Sequence, residues 1–397
     1  MKNIYQEHQR LLADYKIEFR RDLIDIIDWD EKMIAIKGAR GVGKSTLMIQ
    51  HIIETFKKSA TVLYISMDNL MLIDKTIWEI AEYHSNNGGT HLFIDEIHKY
   101  ANWSVDLKNI YDRLPQIHVV FSSSSILQIY KGHADLSRRV VDYKLHGLSF
   151  REYVQIETKK SFQKYTLNEI LTNHLEISQN ILDEIKPIPL FNSYLKYGYY
   201  PYYLQGTKSY YHKLNTITNT ILEVDMPYIL GINLQNISKI KRLLKIIAGA
   251  VPFQPNISKL AEALDITRNT LTQYLYYLQQ ASLVGLLTIH EKSYSQLTKP
   301  EKIFLQNTNL PFALDSDSVN IGTLREIFFH NQISAFGQVN FALKGDFLVN
   351  EKYIFEIGGA KKDFSQISEI ENSYLALDEI EIGFGHKIPL WLFGFLY

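Results

Sequence analysis

The first 150 residues alternate between short apolar runs and stretches in which apolar residues recur at helical spacing. The runs have the length of buried strands and are rich in β-branched and aromatic residues. They cover residues 33–36, 61–67, 91–95 and 117–121. Helices are predicted over residues 1–30, 47–55, 73–85 and 102–113. Strands that alternate with helices predict an α/β fold with a parallel sheet.

After residue 150 the type of predicted secondary structure changes twice along the chain. Residues 155–240 have mixed apolar periodicity and are predicted to be helical. Two short helices are predicted at 257–264 and 267–278, the second capped by Thr267, followed by a strand at 283–287. From about residue 298 the predicted order is strand, helix, strand, strand, and the last two strands, 346–349 and 353–357, are predicted to form a hairpin that turns at Asn350 and Glu351. The C-terminal run IPLWLFGFLY is predicted to be a buried strand. That run is about ten residues long, whereas a membrane span needs ~20.

Composition narrows the class of protein. The chain has 397 residues, which suggests two or three domains, and a formal net charge of -1, so nucleic-acid binding would need a local basic patch. Cysteine is absent, which excludes disulfides and thiolate metal sites. The first residues lack the apolar core of a secretory signal, and no apolar run is long enough to span a bilayer. A soluble cytoplasmic protein without membrane contact is therefore expected.

The stretch AIKGARGVGKST joins the first strand to the next helix. It completes the phosphate-binding pattern G-x-x-x-x-G-K-[ST]. Glycines let successive backbone N–H groups turn toward phosphate oxygens, and the start of the helix adds its positive dipole end. Lys44 is expected to reach the β- and γ-phosphates of ATP, and Ser45 to ligate Mg²⁺. The predicted nucleotide-binding residues here are Gly38, Ala39, Arg40, Gly41, Val42, Gly43, Lys44, Ser45 and Thr46.

An acidic pair, Asp95 and Glu96, follows the third strand-like run. Asp95 is expected to hold Mg²⁺ together with Ser45, and Glu96 to polarise the attacking water. Two acids after a strand can also be a plain solvated strand end, but their position downstream of a complete phosphate-binding loop favours function. His91 and His98 have no partners at metal-ligand spacing and are predicted to be packing or surface residues.

Polar residues also flank the fourth strand-like run. Ser122 is a candidate contact to the γ-phosphate through the attacking water, although the serine run 122–125 can equally be a plain polar loop. Arg138 and Arg139 precede the run VVDYKL. An arginine here could reach a phosphate in its own or a neighbouring subunit, as an arginine finger does. The alternative is a pair of surface arginines on a loop.

Five segments together resemble one family. They are GARGVGKST, VLYISMDN, HLFIDEIHK, VVFSSSS and LSRRVVDYKLHGLSFREY. The resemblance is to prokaryotic AAA-type ATPases of unknown biological role, with an ATPase front half and a nuclease-like back half. It implies that Arg139 is the arginine of that family, that residues 156–235 form a helical lid, and that the protein is a homo-oligomer. Where the family has Ser-Gly-Ser-Ser, this chain has serine throughout.

The helix pair after residue 256 has the pattern of a winged helix. Its second helix would be the DNA-reading one, but the residues expected to face outward include one clear cation, Arg268. Lys239, Lys241, Arg242 and Lys245 lie upstream. Phosphate contacts dominate DNA affinity and need Lys or Arg. Because few basic residues are expected on this surface, a role in packing or partner contact is favoured over DNA reading.

The order Glu326, Asp346, Glu356 resembles the core of PD-(D/E)XK nucleases, in which acids hold Mg²⁺ and a lysine two residues after the last acid activates water. That position is Gly358 in this chain, with Lys361 and Lys362 a few residues on. Loss of such a cation typically costs orders of magnitude in rate. A nuclease-like fold without activity is therefore predicted, and a salt-bridged surface is the plain alternative for these acids.

The predicted organisation has four parts. They are an AAA-type core at 1–155, a helical lid at 156–235, a winged helix at 236–297 and a nuclease-like domain at 298–397. The first functional hypothesis is an Mg²⁺-dependent ATPase whose nucleotide state moves the lid and the C-terminal domains. The alternative is a nucleic-acid-binding module or metal-dependent nuclease in which ATP is a switch. A signalling switch in defence against mobile elements has fold-level analogy as its basis.

Overall fold

Two compact units make up the chain, Met1–Gly147 and Leu148–Tyr397. The computed structural model describes residues 1–17, 19–57, 59–123, 136, 138–230, 232–249, 255–289, 299–315 and 319–397. The domain boundaries predicted at residues 155, 235 and 297 stay predictions.

The first unit contains the strands and helices that its apolar runs predict. The strands are β1 (Met33–Lys37), β2 (Val62–Ser66), β3 (His91–Asp95), β4 (His118–Ser123) and β5 (Val141–Lys144). The helices are α1 (Lys2–Asp14), α2 (Leu23–Ile26), α3 (Lys44–Phe56), α4 (Ile77–Asn86) and α5 (Trp103–Arg113). Short 3₁₀ turns cover Leu70–Leu72 and Ile97–Lys99.

These strands form one sheet in the order β2-β3-β4-β1-β5, and all neighbouring strands are parallel in the described residues. One strand, β4, therefore separates β1 from β3. Adjacent strands lie about 4.8 Å apart, so the carboxyl ends of β1 and β3 are ~10 Å apart on one edge of the sheet. The phosphate-binding loop follows β1 and the acidic pair follows β3, which brings both motifs to the same edge.

Burial on both faces explains why these strands are continuous apolar runs. In β1, the side chains of Met33, Ile34, Ala35 and Ile36 are all buried. Parallel strands with helices on both faces have no solvated side, so they lack the alternation of half-exposed strands. The parallel α/β fold predicted for this part of the chain is confirmed.

The helical prediction for residues 1–30 is wrong in part. Helix α1 ends at Asp14, and α2 is a single turn, so the described residues 15–17 and 19–22 between them are not helical. The segment contains Arg21, whose buried guanidinium donates hydrogen bonds to three backbone carbonyls elsewhere in the first unit. These bonds to distant parts of the chain take the place of a continued helix.

The second unit begins with helices. They are α6 (Phe150–Thr158), α7 (Leu167–Leu182), α8 (Pro187–Ser193), α9 (Tyr210–Thr220), α10 (Met226–Leu230) and α11 (Leu234–Ala248). The remaining helices are α12 (Ile257–Ala263), α13 (Arg268–Gln280), α14 (Asn309–Leu314) and α15 (Ile321–Ile333). Segments of π-helix cover Tyr194–Gly198 and Ile221–Asp225. The predicted helical character of residues 155–240 is confirmed for the described part.

Helices α12 and α13 form the helix pair that the sequence predicts. Thr267 caps α13, because its side chain accepts a hydrogen bond from the Thr270 backbone N–H. The strand β6 (Val284–Leu287) follows and pairs in antiparallel fashion with β7 (Lys302–Leu305). A helix pair followed by a two-stranded sheet is compatible with a winged helix, and its role stays a prediction.

The second unit also contains a mixed sheet in the order β12-β11-β10-β9-β8. Its strands are β8 (Val339–Phe341), β9 (Phe347–Val349), β10 (Tyr353–Gly358), β11 (Ser373–Leu377) and β12 (Lys387–Pro389). The predicted hairpin is confirmed, since β9 and β10 are antiparallel. Its turn residues Asn350 and Glu351 both have positive φ, at 50° and 57°, as a type I′ turn requires.

The strand prediction for the C-terminal run holds for Ile388 and Pro389, which belong to β12, and is wrong for the residues that follow. After β12, residues Leu390–Phe395 form a buried 3₁₀ helix. Phe393 packs edge-on against Phe329, and Phe395 packs likewise against Phe150. The run is apolar on every side because it lies inside the unit, and periodicity cannot separate a strand from a helix in such a segment.

Candidate active site

The loop between β1 and α3 has the backbone that phosphate binding needs. Gly41 and Gly43 have positive φ values of 87° and 99°. A β-carbon on Gly38 would lie 2.3 Å from the carbonyl oxygen of Leu145. Glycine fits all three positions because it tolerates positive φ and close backbone approach. The loop then enters the first turn of α3 at Lys44, where helix N–H groups and the helix dipole favour an anion.

Lys44 points into this loop. Its Nζ donates hydrogen bonds to the carbonyl oxygens of Gly38 and Ala39, each at 2.9 Å, and the side chain is buried. The ammonium is therefore held within the loop by the loop's own backbone. This is a position from which a lysine can neutralise phosphate charge.

Arg21 holds the loop from outside, a role that no local pattern in the chain indicates. One guanidinium nitrogen donates to the Val42 carbonyl at 2.9 Å. Another donates to the carbonyls of His146 and Gly147, at 2.8 and 3.1 Å. The arginine thus ties the phosphate-binding loop to the segment that follows β5.

Asp95 lies at the end of β3 among hydrogen-bond donors from neighbouring strands. Its Oδ2 accepts from the Tyr64 hydroxyl at 2.8 Å. Its Oδ1 accepts from the Ser122 hydroxyl and from the Glu96 backbone N–H, the latter at 3.1 Å. A buried carboxylate is stable when its oxygens are satisfied in this way.

Tyr64 links the acid to the phosphate-binding loop. Its hydroxyl interacts with Ser45 as well as with Asp95. Burial and the nearby Asp95 carboxylate raise the pKa of Tyr64, so the hydroxyl stays protonated as a donor. Ser45 and Asp95 both influence the pKa of this hydroxyl, and both lie at the carboxyl edge of the sheet. A hydroxyl and a carboxylate are oxygen ligands that suit Mg²⁺, which is commonly held by one or two carboxylates together with substrate phosphates.

Glu96 has an unusual backbone conformation directly after the strand, with φ 51° and ψ 41°. Its backbone N–H is within 3.3 Å of the Ser122 hydroxyl, and its side chain is 15% exposed. The carboxylate oxygen Oε2 lies 3.4 Å from Nε2 of His98. The acid is thus partly accessible at the same edge of the sheet as the loop.

The two histidines near this pair differ. His91 stacks on His118 with ring centroids 4.9 Å apart, at the amino-terminal ends of their strands, in agreement with a packing role. His98 is buried and contacts both Glu96 and Ser123. Burial lowers the pKa of His98 to about 3, and the positive charge of Lys99 adds to this effect.

Arg139 lies apart from this cluster. Arg139 precedes β5, and its guanidinium binds both carboxylate oxygens of Asp112 at 3.1 Å, near the end of α5. It therefore lies at the amino-terminal edge of the sheet, opposite the phosphate-binding loop. Ser124 and Ser125 lie outside the described residues.

A second cluster of acids lies in the C-terminal unit. Glu326 is on α15, Asp346 precedes β9, and Glu356 is on β10. A lysine that the sequence did not point to, Lys302, lies between two of them. Its Nζ is 2.5 Å from Glu326 Oε2 and 3.2 Å from Asp346 Oδ1. Burial opposes a charged lysine, but the two carboxylates outweigh it and raise the pKa of Lys302.

A second lysine pairs with the third acid. Lys362 Nζ lies 2.5 Å from Glu356 Oε1. The stem of Lys362 crosses Gly358 so closely that a β-carbon there would meet its Cβ at 2.6 Å. Lys362 thus fills the place of the lysine that is absent from position 358. In the described part of the chain, no three His, Cys, Asp or Glu side chains are grouped closely enough to hold a metal ion.

Two segments of the chain match known family models. Residues 30–154 match the family model described as AAA domain. Together with the parallel sheet and the phosphate-binding loop, this match identifies residues 30–154 as an AAA domain. Residues 188–318 match a domain of unknown function (DUF8612). The winged-helix and nuclease-like interpretations stay predictions.

The chain is similar over most of its length to the uncharacterized protein MJ1637 of Methanocaldococcus jannaschii. The identity is 27% over 406 residues, which cover 95% of this chain and 82% of that protein. No described helix has the length and apolar character needed to cross a bilayer.

Two solved structures are also similar. The Walker-type ATPase PABY2304 of Pyrococcus abyssi has 12% identity and a TM-score of 0.42, covering 76% of this chain and 99% of that one. AMPPCP-bound DnaA from Aquifex aeolicus has 15% identity and a TM-score of 0.28, covering 69% of this chain and 88% of that one. These TM-scores are too low for either likeness to bear on the activity of this chain.

The pairing of Lys302 with two acids yields a stability prediction. Lys302→Met keeps the length of the side chain but removes its charge. At pH 8 we expect the free energy of unfolding to fall by about 3–5 kcal/mol, because two carboxylates lose their buried counter-charge. Burial raises the pKa of Glu326, so protonation removes unpaired charge as the pH falls, and the deficit should shrink at pH 5.

Urea unfolding at the two pH values measures this difference. Lys344→Met, at an exposed position, is the matched control and should change little at either pH. A deficit of equal size at pH 5 and pH 8 would show that the charge of Lys302 is not what stabilises the cluster.

Proposed function

We propose that this protein is an Mg²⁺-dependent ATPase whose active site lies at the carboxyl edge of the N-terminal sheet. The observation that supports this most directly is the position of two motifs at one edge of a parallel sheet. The phosphate-binding loop follows β1, and the buried, hydrogen-bonded Asp95 carboxylate ends β3. A chance glycine-rich turn has no reason to lie beside a satisfied, buried carboxylate.

ATP binding is assigned to the loop. The backbone N–H groups of residues 38–46 would bind the phosphate oxygens, and the Lys44 ammonium would pair with the β- and γ-phosphates. The Ser45 hydroxyl and the Asp95 carboxylate would hold Mg²⁺. When bound, the ion neutralises charge that develops on the β- and γ-phosphate oxygens.

Water activation is assigned to Glu96, with Ser122 beside it. A carboxylate at hydrogen-bond distance from the attacking water can orient it and accept its proton. The Ser122 hydroxyl lies next to Asp95 and the Glu96 backbone, so it is placed to sense the γ-phosphate. Phosphoryl transfer depends mainly on positioning and charge neutralisation, and these residues would supply both.

Arg139 is proposed to act on a neighbouring subunit. It lies at the edge of the sheet opposite the loop of its own chain, and it is held there by Asp112. An arginine supplied in trans requires assembly, so a homo-oligomer is part of the proposal. The nucleotide state is proposed to move the lid at 156–235 and the winged-helix and nuclease-like parts.

A metal-dependent nuclease is the second candidate function, and one observation favours it. Lys362 fills the place of the missing lysine beside Glu356. Against it, the Lys302 ammonium occupies the space between Glu326 and Asp346. Two acids that are neutralised by a buried ammonium have little charge left to attract a divalent cation. We therefore favour a nuclease-like region without cleavage activity.

Lys44→Ala tests the nucleotide site. Removing one partner of a buried charge pair costs at least about 2 kcal/mol, so the affinity for MgATP should fall at least ~30-fold. Isothermal titration of MgATP measures the change. Lys108→Ala, an exposed lysine on α5, is the control and should bind as the wild type does. Equal affinity for MgATP in Lys44→Ala and the wild type would reject the assignment of Lys44 to nucleotide binding.

Glu96→Gln separates binding from turnover. The amide keeps the shape of the side chain but cannot accept a proton, so kcat should fall about 10²–10⁴-fold. The affinity for MgATP should stay within about twofold, since Glu96 is not assigned to binding. Phosphate release and titration measure the two quantities. Hydrolysis at the wild-type rate would show that another group activates the water.

Mixing two inactive variants tests the arginine. Arg139→Ala should lose about 10³-fold in kcat, whereas Arg138→Ala is the neighbouring control and should be nearly unaffected. In a mixture of Arg139→Ala with Glu96→Gln, some sites would combine an intact Glu96 with an intact Arg139 from the next subunit. Activity should then reappear. No recovery from a mixture that forms mixed oligomers would argue against action in trans.

A further inference from the structure

His98 is a buried histidine that the proposed reaction does not use directly. It lies two residues after Glu96 in the 3₁₀ turn at Ile97–Lys99 and is 1% exposed. One ring nitrogen, Nδ1, lies 3.0 Å from the Ser123 hydroxyl. The other, Nε2, lies 3.4 Å from Glu96 Oε2. The ring therefore stands between the end of β4 and the acid assigned to water activation.

The chemistry of the three groups allows one direction for these contacts. Nε2 of His98 lies at ion-pair distance, 3.4 Å, from Glu96 Oε2. Because an ionised carboxylate can only accept hydrogen bonds, the neutral tautomer that favours this contact carries its proton on Nε2. In a neutral imidazole the other nitrogen is then an acceptor, and the Ser123 hydroxyl must donate to it. The contacts thus form a directed chain from Ser123 through His98 to Glu96, which selects one tautomer.

The surroundings keep the imidazole neutral. Burial lowers the pKa of His98, and the positive charges of Lys99, Lys44 and Arg40 lower it further. This matters for Glu96, because an imidazolium beside it would pair with the carboxylate and weaken it as a base. A neutral donor can orient the carboxylate and leave its basicity in place.

Glu96 needs such support because its backbone is fixed while its side chain is long. Ser122 and Asp95 hold the backbone N–H, at 3.3 and 3.1 Å, and do not touch the carboxylate in these contacts. Ordering a glutamate side chain costs up to about 2 kcal/mol of rotamer freedom. A donor in place before the reaction reduces the cost of reaching the productive geometry.

We infer that His98, oriented by Ser123, is a positioning residue that holds the carboxylate of Glu96 toward the attacking water. The role rests on the proposed ATPase function and adds two residues to it. Ser123 neighbours Ser122, so the end of β4 would support both the backbone and the side chain of the catalytic acid.

The test compares His98→Ala, His98→Gln and Ser123→Ala with the wild type in MgATP titration and steady-state hydrolysis. His98→Ala should lower kcat about 10²-fold, as misplacement of a reacting group does, and leave the affinity for MgATP within about twofold. Glutamine has an acceptor and a donor at its tip, so His98→Gln should regain at least about tenfold of that loss. Ser123→Ala should lower kcat about tenfold. His118→Ala, at the opposite edge of the sheet, is the control histidine and should behave as the wild type.

Several results would overturn the inference. One is wild-type kcat in folded His98→Ala. Another is equal loss of kcat and affinity in His98→Ala without rescue by glutamine, which would indicate a packing role. If His98→Ala does not fold, Ser123→Ala decides, because it removes the donor to Nδ1 and leaves the ring in place. Wild-type kcat in Ser123→Ala would then reject the directed chain.

A double variant shows whether the effect passes through Glu96. In residual hydrolysis over long incubations, Glu96→Gln/His98→Ala should be no slower than Glu96→Gln, because the group that His98 positions is already disabled. A further loss of tenfold or more would place the action of His98 elsewhere. Failure of the wild type to hydrolyse MgATP would reject the proposed function itself. If Glu96→Gln loses hydrolysis but His98→Ala hydrolyses MgATP at the wild-type rate, the inference about His98 is rejected and the proposed function stands.

Discussion

The buried carboxylate of Asp95 is the group on which the edge of the N-terminal sheet depends. Burying an anion is costly unless donors satisfy its oxygens. Here the donors come from the Tyr64 hydroxyl at β2, the Ser122 hydroxyl at β4 and the backbone N–H that follows β3. Three adjacent strands thereby contribute to the stabilisation of one charge. The choice of Tyr64 within β2 and Ser122 near the end of β4 follows from that requirement as much as from any substrate.

Phosphate binding imposes a second constraint on the same edge. The loop after β1 needs two glycines at positive φ and a third where the backbone passes close to Leu145. Arg21 adds a clamp from the loop to the carbonyls of His146 and Gly147. Preorganised donors that need no rearrangement are worth most where charge develops during a reaction. A rigid loop beside a rigid carboxylate is what the proposed chemistry requires.

Local sequence signals predicted the strands of the first unit, the phosphate-binding loop, the capped helix at Thr267 and the hairpin at Asn350, because each depends on residues close in the chain. Tyr64, His98, Arg21 and Lys302 were not predicted as site or cluster residues. The residues that Tyr64, Arg21 and Lys302 contact lie on other elements of the structure, and one of the two contacts of His98 does so too. The spacing of residues along the chain does not indicate such contacts. Lys302 is 24 and 44 positions from the two acids that it contacts. The C-terminal 3₁₀ helix was missed for a related reason, since a segment apolar on every side has no period to detect.

The most direct measurement is a crystal structure of Glu96→Gln soaked or grown with MgATP. The account predicts triphosphate density inside the loop of residues 38–46, with Mg²⁺ bound by Ser45 and Asp95 and position 96 facing the γ-phosphate. Nucleotide bound elsewhere on the chain, or bound in the loop with Asp95 remote from the metal, would contradict it.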